Sequence, residues 1–369
     1  MAPASEYFKD SPFGTYAGKL TAETGENDFV PFKIHDELRR SLDTSFLLNP
    51  VTVRLLVSTP GGGKTWTLSW LSRYFNRKKD IMTIIVPRLE LRGQPERGLV
   101  EAIFYALRPR LNEIRSKLQS GKFRLSDSLI TTSAYYVWMA LQDEEVFQIM
   151  SGGGGRLPAL KGLAAPPLTK TEGTSHLLLG LFRVLYALDF SKVVVLVDEV
   201  ESLFVAYGRK DLFIFSNFLR GLFDEFQSPG ESSLPRLMML LAGTTWVLEK
   251  ISPALVGKQE AAGDVAGAFI RRMASPFELI PPEESDVLRL AEQRIEQHRS
   301  KAANRPFIPY EKEAILYVWN NSFGIIGDFC HRLQQMYDLA ATEKADKITE
   351  DHARRVLKEP ATAVSSAGD

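Results

Sequence analysis

The chain has 369 residues, no formal net charge, 44% apolar and 24% charged residues, and one cysteine, Cys330. Such a chain can bury a sizeable core, and its composition excludes an intrachain disulfide, a Cys-rich zinc cluster and a globally basic protein that coats nucleic acid. No apolar run approaches the ~18 residues of a membrane span, and residues 1–10 lack a basic segment leading into an apolar one, so a soluble, cytoplasmic protein without membrane contact is expected.

Residues 1–28 carry Tyr7, Phe8, Phe13 and Tyr16 among Pro, Gly and Ser, the pattern of an arm that docks on something or of a partly ordered terminus. Ile34, Leu38 and Leu42, spaced by four, predict a helix. Short apolar runs follow at 51–57, 81–86, 193–197, 237–241 and 277–280. Most are unbroken rather than alternating, as strands buried on both faces should be. Helical patterns at 66–77, 96–119, 127–150, 176–188 and 212–226 separate them. This alternation predicts an α/β fold, a parallel five-stranded sheet with helices on both faces. The long connection at 88–175 reads as a helical insertion ending in a Gly/Pro-rich surface loop, with Gly152 to Gly155 and Pro166-Pro167. After Pro281-Pro282 the strands stop. Val287, Leu290 and Ile295, then Ile315, Val318 and Trp319, then Ile326, Phe329 and Leu333, then Ala353, Val356 and Leu357 mark an all-helical domain. The expected division is an arm at 1–28, a core at 29–282, a helical lid at 283–359 and a disordered tail at 360–369.

The strongest chemical signal is Ser58-Thr-Pro-Gly-Gly-Gly-Lys-Thr65, placed after one strand and at the start of one helix. Glycines let backbone amides approach phosphates, and a helix N-terminus beneath them adds partial positive charge. Pro60, Gly61, Gly62, Gly63, Lys64, Thr65 and Trp66 form the candidate nucleotide-contacting run. Lys64 would reach the β- and γ-phosphates, and Thr65 would ligate Mg²⁺. Ser58 stands where such loops usually begin with glycine. A flexible strand–helix turn without a ligand is the alternative.

The second signal is Val193-Val-Val-Leu-Val-Asp198-Glu199, a buried strand whose carboxyl end carries two acids. Asp198 would hold Mg²⁺ and Glu199 would polarise an attacking water, with Glu201 the spare acid. An acidic strand end is often merely structural; its coincidence with the upstream loop points to hydrolysis.

Over 29–359 this order of motifs resembles the AAA+ P-loop ATPases, and within them the initiator-like branch of origin-recognition, transposition target-selection and bacterial (antiviral) defence ATPases. The resemblance implies ATP and Mg²⁺ as ligands and ATP hydrolysis as the activity. It implies a polar sensor at Thr244, or Thr245, though these threonines could instead cap the next helix. It implies an arginine finger acting in trans on a neighbouring subunit of a homo-oligomer, at Arg272 or Arg271, with solvated surface arginines the alternative. A lid sensor would fall to Arg332, which could equally pair with Asp328 one turn away, while Cys330 lies on the apolar stripe.

The core and lid consume nearly the whole chain, so the activity is expected to reach a separate effector or partner protein. From Arg88 to Arg124 the cations Arg88, Arg92, Arg97, Arg108, Arg110, Arg115, Lys117, Lys122 and Arg124 outnumber Glu90, Glu96, Glu101 and Glu113, which favours double-stranded DNA as a surface for assembly. The expected function is an ATP-dependent switch that oligomerises on DNA and recruits or regulates a partner. The alternatives are a defence or signalling NTPase gating a separate effector, and a nucleotide-bound scaffold that hydrolyses nothing.

Overall fold

The computed structural model describes residues 7–8, 12–13, 30–88, 94–120, 132–160, 171–227, 234–247, 273–300 and 306–358. Its centre is a five-stranded parallel sheet in the order β2-β3-β4-β1-β5. The strands are β1 (Val51–Ser58), β2 (Ile81–Val86), β3 (Lys192–Val197), β4 (Arg236–Thr244) and β5 (Ala274–Glu278). β2, β3 and β4 keep one unbroken register, from Ile81 opposite Lys192 opposite Arg236 to Val86 opposite Val197 opposite Leu241. Their central Val, Ile, Leu and Met runs are mostly buried, as in a sheet covered on both faces, although β2 also buries Thr83 and leaves Ile85 exposed.

The last strand differs from the sequence expectation. The apolar run at 277–280 predicts a strand there, whereas β5 ends at Glu278 and leaves Leu279 and Ile280 beyond it. β5 is an edge strand that pairs with β1 alone, across a register shift between Arg54 and Leu56. Most of its residues are exposed or half-buried, so backbone pairing rather than burial sets its limits.

Helices α1 (Lys33–Leu48), α2 (Lys64–Asn76), α3 (Pro95–Ala106), α4 (Leu111–Gln119), α5 (Thr132–Gln142), α6 (Glu144–Met150), α7 (Thr171–Ala187), α8 (Glu201–Ala206) and α9 (Arg209–Gln227) connect the strands. Two expected helices are each split. The pattern at 96–119 breaks into α3 and α4 at the 3₁₀ turn Arg108–Arg110, whose central Pro109 cannot continue an α-helical ladder. The pattern at 127–150 breaks at Asp143, whose carboxylate accepts from the amides of Glu145 and Val146 and caps α6. The Gly-rich stretch after α6 is pinned in part: Leu157 is buried and the Pro158 carbonyl accepts from the Tyr136 hydroxyl at 2.9 Å.

The chain divides into two compact units, one of Met1–Glu37, Ser58–Trp66 and Leu279–Asp369, the other of Leu38–Val57 and Thr67–Glu278. The second holds the sheet and the insertion, with a core that includes Val195, Phe104, Tyr136, Phe147 and Phe182. The first holds α10 (Glu284–His298), α11 (Lys312–Asn320), α12 (Ile326–Thr342) and α13 (Glu350–Lys358). Their facing stripes bury Leu290, Ile315, Val318, Phe329, Cys330, Leu333 and Val356. Phe8 and Phe13 of the N-terminal arm are buried in the same core, ring against ring with Tyr310 and Tyr337.

Candidate nucleotide site

In the first unit, residues 58–65 leave β1 and open α2. Gly61 and Gly63 have φ of 73° and 89°, which glycine adopts without the Cβ penalty of other residues. The Gly62 amide donates to the Thr59 carbonyl at 3.1 Å and closes the turn. The Ser58 departure is matched inside the loop. Its buried hydroxyl donates to the Thr59 carbonyl at 3.0 Å and would lie 2.5 Å from any Cβ placed on Gly62. The serine side chain thus fills the space that glycine at 62 vacates. The Lys64 ammonium folds back over the loop, donating to the carbonyls of Thr59 at 3.2 Å and Ser58 at 3.4 Å.

An apolar pocket adjoins Gly62 and Gly63, walled by Phe32, Ile34, His35, Trp66, Leu290 and Ile326. The Phe32 amide donates to His35 Nδ1 at 2.9 Å. Burial lowers the His35 pKa to about 4, Asp36 opposing and Arg289 adding to the shift, so the imidazole is neutral at pH 7. Of this wall, sequence reading singled out Trp66 and missed Phe32, His35 and Leu290, whose spacing shows nothing beyond helical amphipathicity.

The start of α12 touches the loop. The Gly327 amide donates to the Gly61 carbonyl at 3.3 Å, and a Cβ on Gly61 would stand 2.7 Å from Ile325 Cγ2. Arg332, the candidate lid sensor, is paired with Asp328 at 2.6 Å on its own helix. Cys330 is fully buried, and burial pushes its thiol up to about 12, far from a reactive thiolate.

In the second unit, Asp198 follows β3 and is buried, its Oδ1 accepting from the Glu199 amide at 2.9 Å. Glu199 sits at φ 52°, a left-handed conformation uncommon for a residue with a Cβ. Its exposed carboxylate lies 3.5 Å from the Arg88 guanidinium, beyond the end of β2. Val200 returns to the sheet by donating to the Ala242 carbonyl at 3.0 Å. Next to that contact Glu201 Oε2 would stand 3.1 Å from a Cβ on Gly243. Glu201 Oε2 and Thr244 Oγ1 are both buried and without a hydrogen-bond partner among the described residues. Among the described residues the Thr244 hydroxyl therefore caps no helix. It is instead an orphaned polar atom at the carboxyl end of β4, of the kind that a water or ligand satisfies. Thr245 is half-buried in the turn that follows.

Arg271 and Arg272 lie outside the described residues, as do Arg92, Lys122 and Arg124. The described cations between Arg97 and Lys117 are engaged within the fold. Arg97 pairs with Glu101, Arg108 and Arg115 with Glu144, and Arg110 with Glu113. Lys117 donates to the Leu188 carbonyl at 3.0 Å and covers the Phe190 ring. These side chains fasten helix to helix. No helix among the described residues is long and apolar enough to cross a membrane.

No protein-family model and no curated protein matches the sequence. Solved structures do. The Aeropyrum pernix ORC2 protein in its ADPNP-ADP complexes aligns over 97% of this chain and 73% of its own, with a TM-score of 0.54 at 15% identity. Its ADP form aligns over 96% and 73%, with a TM-score of 0.52 at 14% identity. Cdc6p from Pyrobaculum aerophilum aligns over 95% and 71%, with a TM-score of 0.50 at 12% identity. The chain thus has the fold of the initiator-type AAA+ ATPases, a parallel sheet with surrounding helices followed by a helical C-terminal domain.

Proposed function

We propose that the protein is a Mg²⁺-dependent ATPase whose nucleotide state controls assembly with further copies of itself and contact with a separate partner. The observation that carries this reading is the loop at 58–65: glycine bends at Gly61 and Gly63, a helix opening at Lys64, and a lysine ammonium satisfied by loop carbonyls. Such a loop offers main-chain N–H groups and one mobile cation to a polyphosphate. The ORC2 structures hold ADPNP and ADP on the same fold, which supports nucleotide as the ligand.

The donor set fits the ligands. Thr65 offers a hydroxyl and Asp198 a buried carboxylate, the hard oxygen ligands that Mg²⁺ takes alongside phosphate and water. When bound, Mg²⁺ would neutralise charge on the phosphates. Lys64 would hold the β- and γ-oxygens, and the apolar pocket of Phe32, Ile34 and Trp66 would take the base. Glu199, an exposed carboxylate, is the group to accept a proton from attacking water, and the orphaned Thr244 hydroxyl is the group to orient that water. Arg272 or Arg271 would serve a neighbouring subunit's nucleotide, and release of Arg332 from Asp328 would be needed before it could act as a lid sensor.

Duplex DNA is the partner we assign to the assembled form, with a protein effector the second possibility. ATP turnover by wild type, Lys64→Ala and Glu199→Gln tests the reading. Lys64→Ala should lose nucleotide binding, while Glu199→Gln should bind ATP, grow in size by sedimentation and turn over at least 100-fold more slowly. Undiminished turnover in Glu199→Gln would overturn the assignment of the base; no turnover in wild type, with ATP bound, would leave a scaffold.

A further inference from the structure

We propose that Phe323 and Ile280 anchor a docking surface for a separate protein, one that offers an apolar pocket flanked by lysine or arginine side chains. The inference rests on the separate-partner reading above and gives that partner a place and a chemistry. Both residues belong to the first unit. Phe323 is 88% exposed, more than any other large apolar side chain among the described residues, and Ile280 is 59% exposed.

Phe323 stands on a firmly held turn between α11 and α12. The Ile325 amide donates to the Ser322 carbonyl at 2.8 Å and closes the turn. Its two central residues, Phe323 and Gly324, have φ of 50° and 75°, the φ pair of a type I′ turn, which Asn, Asp and Gly adopt at least cost. Ser322 is buried, its amide donating to the Trp319 carbonyl at 3.0 Å and its hydroxyl to the Val318 carbonyl at 2.7 Å. Gly324 lies so near Pro281 that a Cβ would meet that ring at 2.7 Å. Both flanks are thus fixed, and Phe323 projects from between them. The ring buries little in its own fold, and the backbone beneath it suits asparagine better, so neither packing nor local conformation accounts for a phenylalanine here. A fixed, exposed aromatic ring is the kind of side chain that anchors protein interfaces, because it brings a large apolar area at little ordering cost.

The charges around these residues select the partner. The turn packs on Pro281, the neighbour of Ile280. From Ile280 to Leu288 the chain carries Glu283, Glu284 and Asp286 and no cation, and residues 320–326 carry no charge. Asp286 is taken by Arg289 at 3.0 Å, whereas Glu283 and Glu284 are exposed and form no ion pair among the described residues. Acids at the start of α10 also suit the helix macrodipole, which explains part of this cluster but not the apolar side chains beside it. These carboxylates repel nucleic-acid phosphates and anionic lipid headgroups alike and attract lysine and arginine. The surface therefore fits a cationic protein segment. Ile280 also lines the pocket beside Gly62 and Gly63, as does Ile326, which follows the turn, so nucleotide and partner lean on the same short segments.

The test is fluorescence anisotropy of the full chain with a labelled amphipathic helix of leucine and lysine, ~14 residues long, and with a counterpart that has glutamate for lysine. It compares wild type, Phe323→Asn and Glu283→Gln/Glu284→Gln. Wild type should bind the leucine–lysine peptide and not its glutamate counterpart, and each variant should bind it roughly fivefold more weakly or worse. Asparagine suits the φ of residue 323, so Phe323→Asn should keep or raise Tm, which separates a lost contact from a lost fold. Four results would each overturn the proposal: no binding of the leucine–lysine peptide, equal binding of the two peptides, equal affinity in wild type and Phe323→Asn, or binding of wild type to phosphatidylserine vesicles that Phe323→Asn abolishes. Loss of self-association in Phe323→Asn, read by sedimentation with peptide binding intact, would assign the surface to a second copy instead. ATP turnover without peptide should be the same in Phe323→Asn and wild type. Its absence in both would fault the nucleotide reading, while the anisotropy still judges the surface by itself.

Discussion

Ser58 and Gly62 share one small space, and that sharing explains why a loop without its usual first glycine carries three glycines in a row. A methyl on residue 62 would meet the Ser58 hydroxyl at 2.5 Å, so Gly62→Ala should destabilise the loop by about 1–3 kcal/mol, the ordinary cost of overpacking. The double variant Ser58→Gly/Gly62→Ala should recover most of that loss, and a double-mutant cycle on ATP affinity measures it. Additive losses would mean that the two residues do not interact. His35 supplies a pH test at the same scale. Its folded pKa of about 4 lies below the ordinary 6.5, so between these values the unfolded chain takes up a proton that the fold refuses. Stability from this group is full above pH 6.5 and lost as pH falls towards 4, at up to about 1.4 kcal/mol per pH unit. His35→Gln should flatten the dependence of Tm on pH in that window; an equal slope in both proteins would contradict the buried neutral imidazole. The loop and the Asp198-Glu199 pair were legible because each is contiguous in the chain. The pocket wall was not, because Phe32, Leu290 and Ile326 come from segments that show only an apolar side chain in an amphipathic helix or before one.

At the scale of elements, hydrophobic periodicity located β1 to β4 within a few residues, since strands covered on both faces advertise themselves as unbroken apolar runs. It misplaced β5, whose residues are held by pairing with β1 rather than by burial. It also merged α3 with α4 and α5 with α6, because the apolar stripe runs on through Pro109 and Asp143 while the backbone does not. The helical insertion depends on a contact invisible to periodicity. Gly180 of α7 faces α5 so closely that a Cβ would stand 2.7 Å from the Ser133 carbonyl oxygen. That atom belongs to backbone and cannot rotate away. Gly180→Ala should therefore lower stability by about 1–3 kcal/mol despite the better helix propensity of alanine, read as a reduced denaturation midpoint. A stabilised variant would show that the two helices separate easily.

For the whole molecule, a run of charge counted along the chain need not be a charged surface in space. The insertion looks basic in sequence, yet Arg97, Arg108, Arg110 and Arg115 are spent on Glu101, Glu144 and Glu113. The arm at the N-terminus likewise finds its place only in three dimensions, with Phe8 and Phe13 completing the core of the helical domain rather than reaching outward. Phosphate binding at residues 58–65 underlies every other role assigned to the molecule, and a structure of the protein with Mg²⁺ and a nonhydrolysable ATP analogue decides it. In that structure the triphosphate should lie on the main-chain amides of residues 61–65, with the Lys64 ammonium moved from the carbonyls of Ser58 and Thr59 onto the β- and γ-oxygens. An empty loop at saturating analogue, with Lys64 still bonded to those two carbonyls, would contradict it.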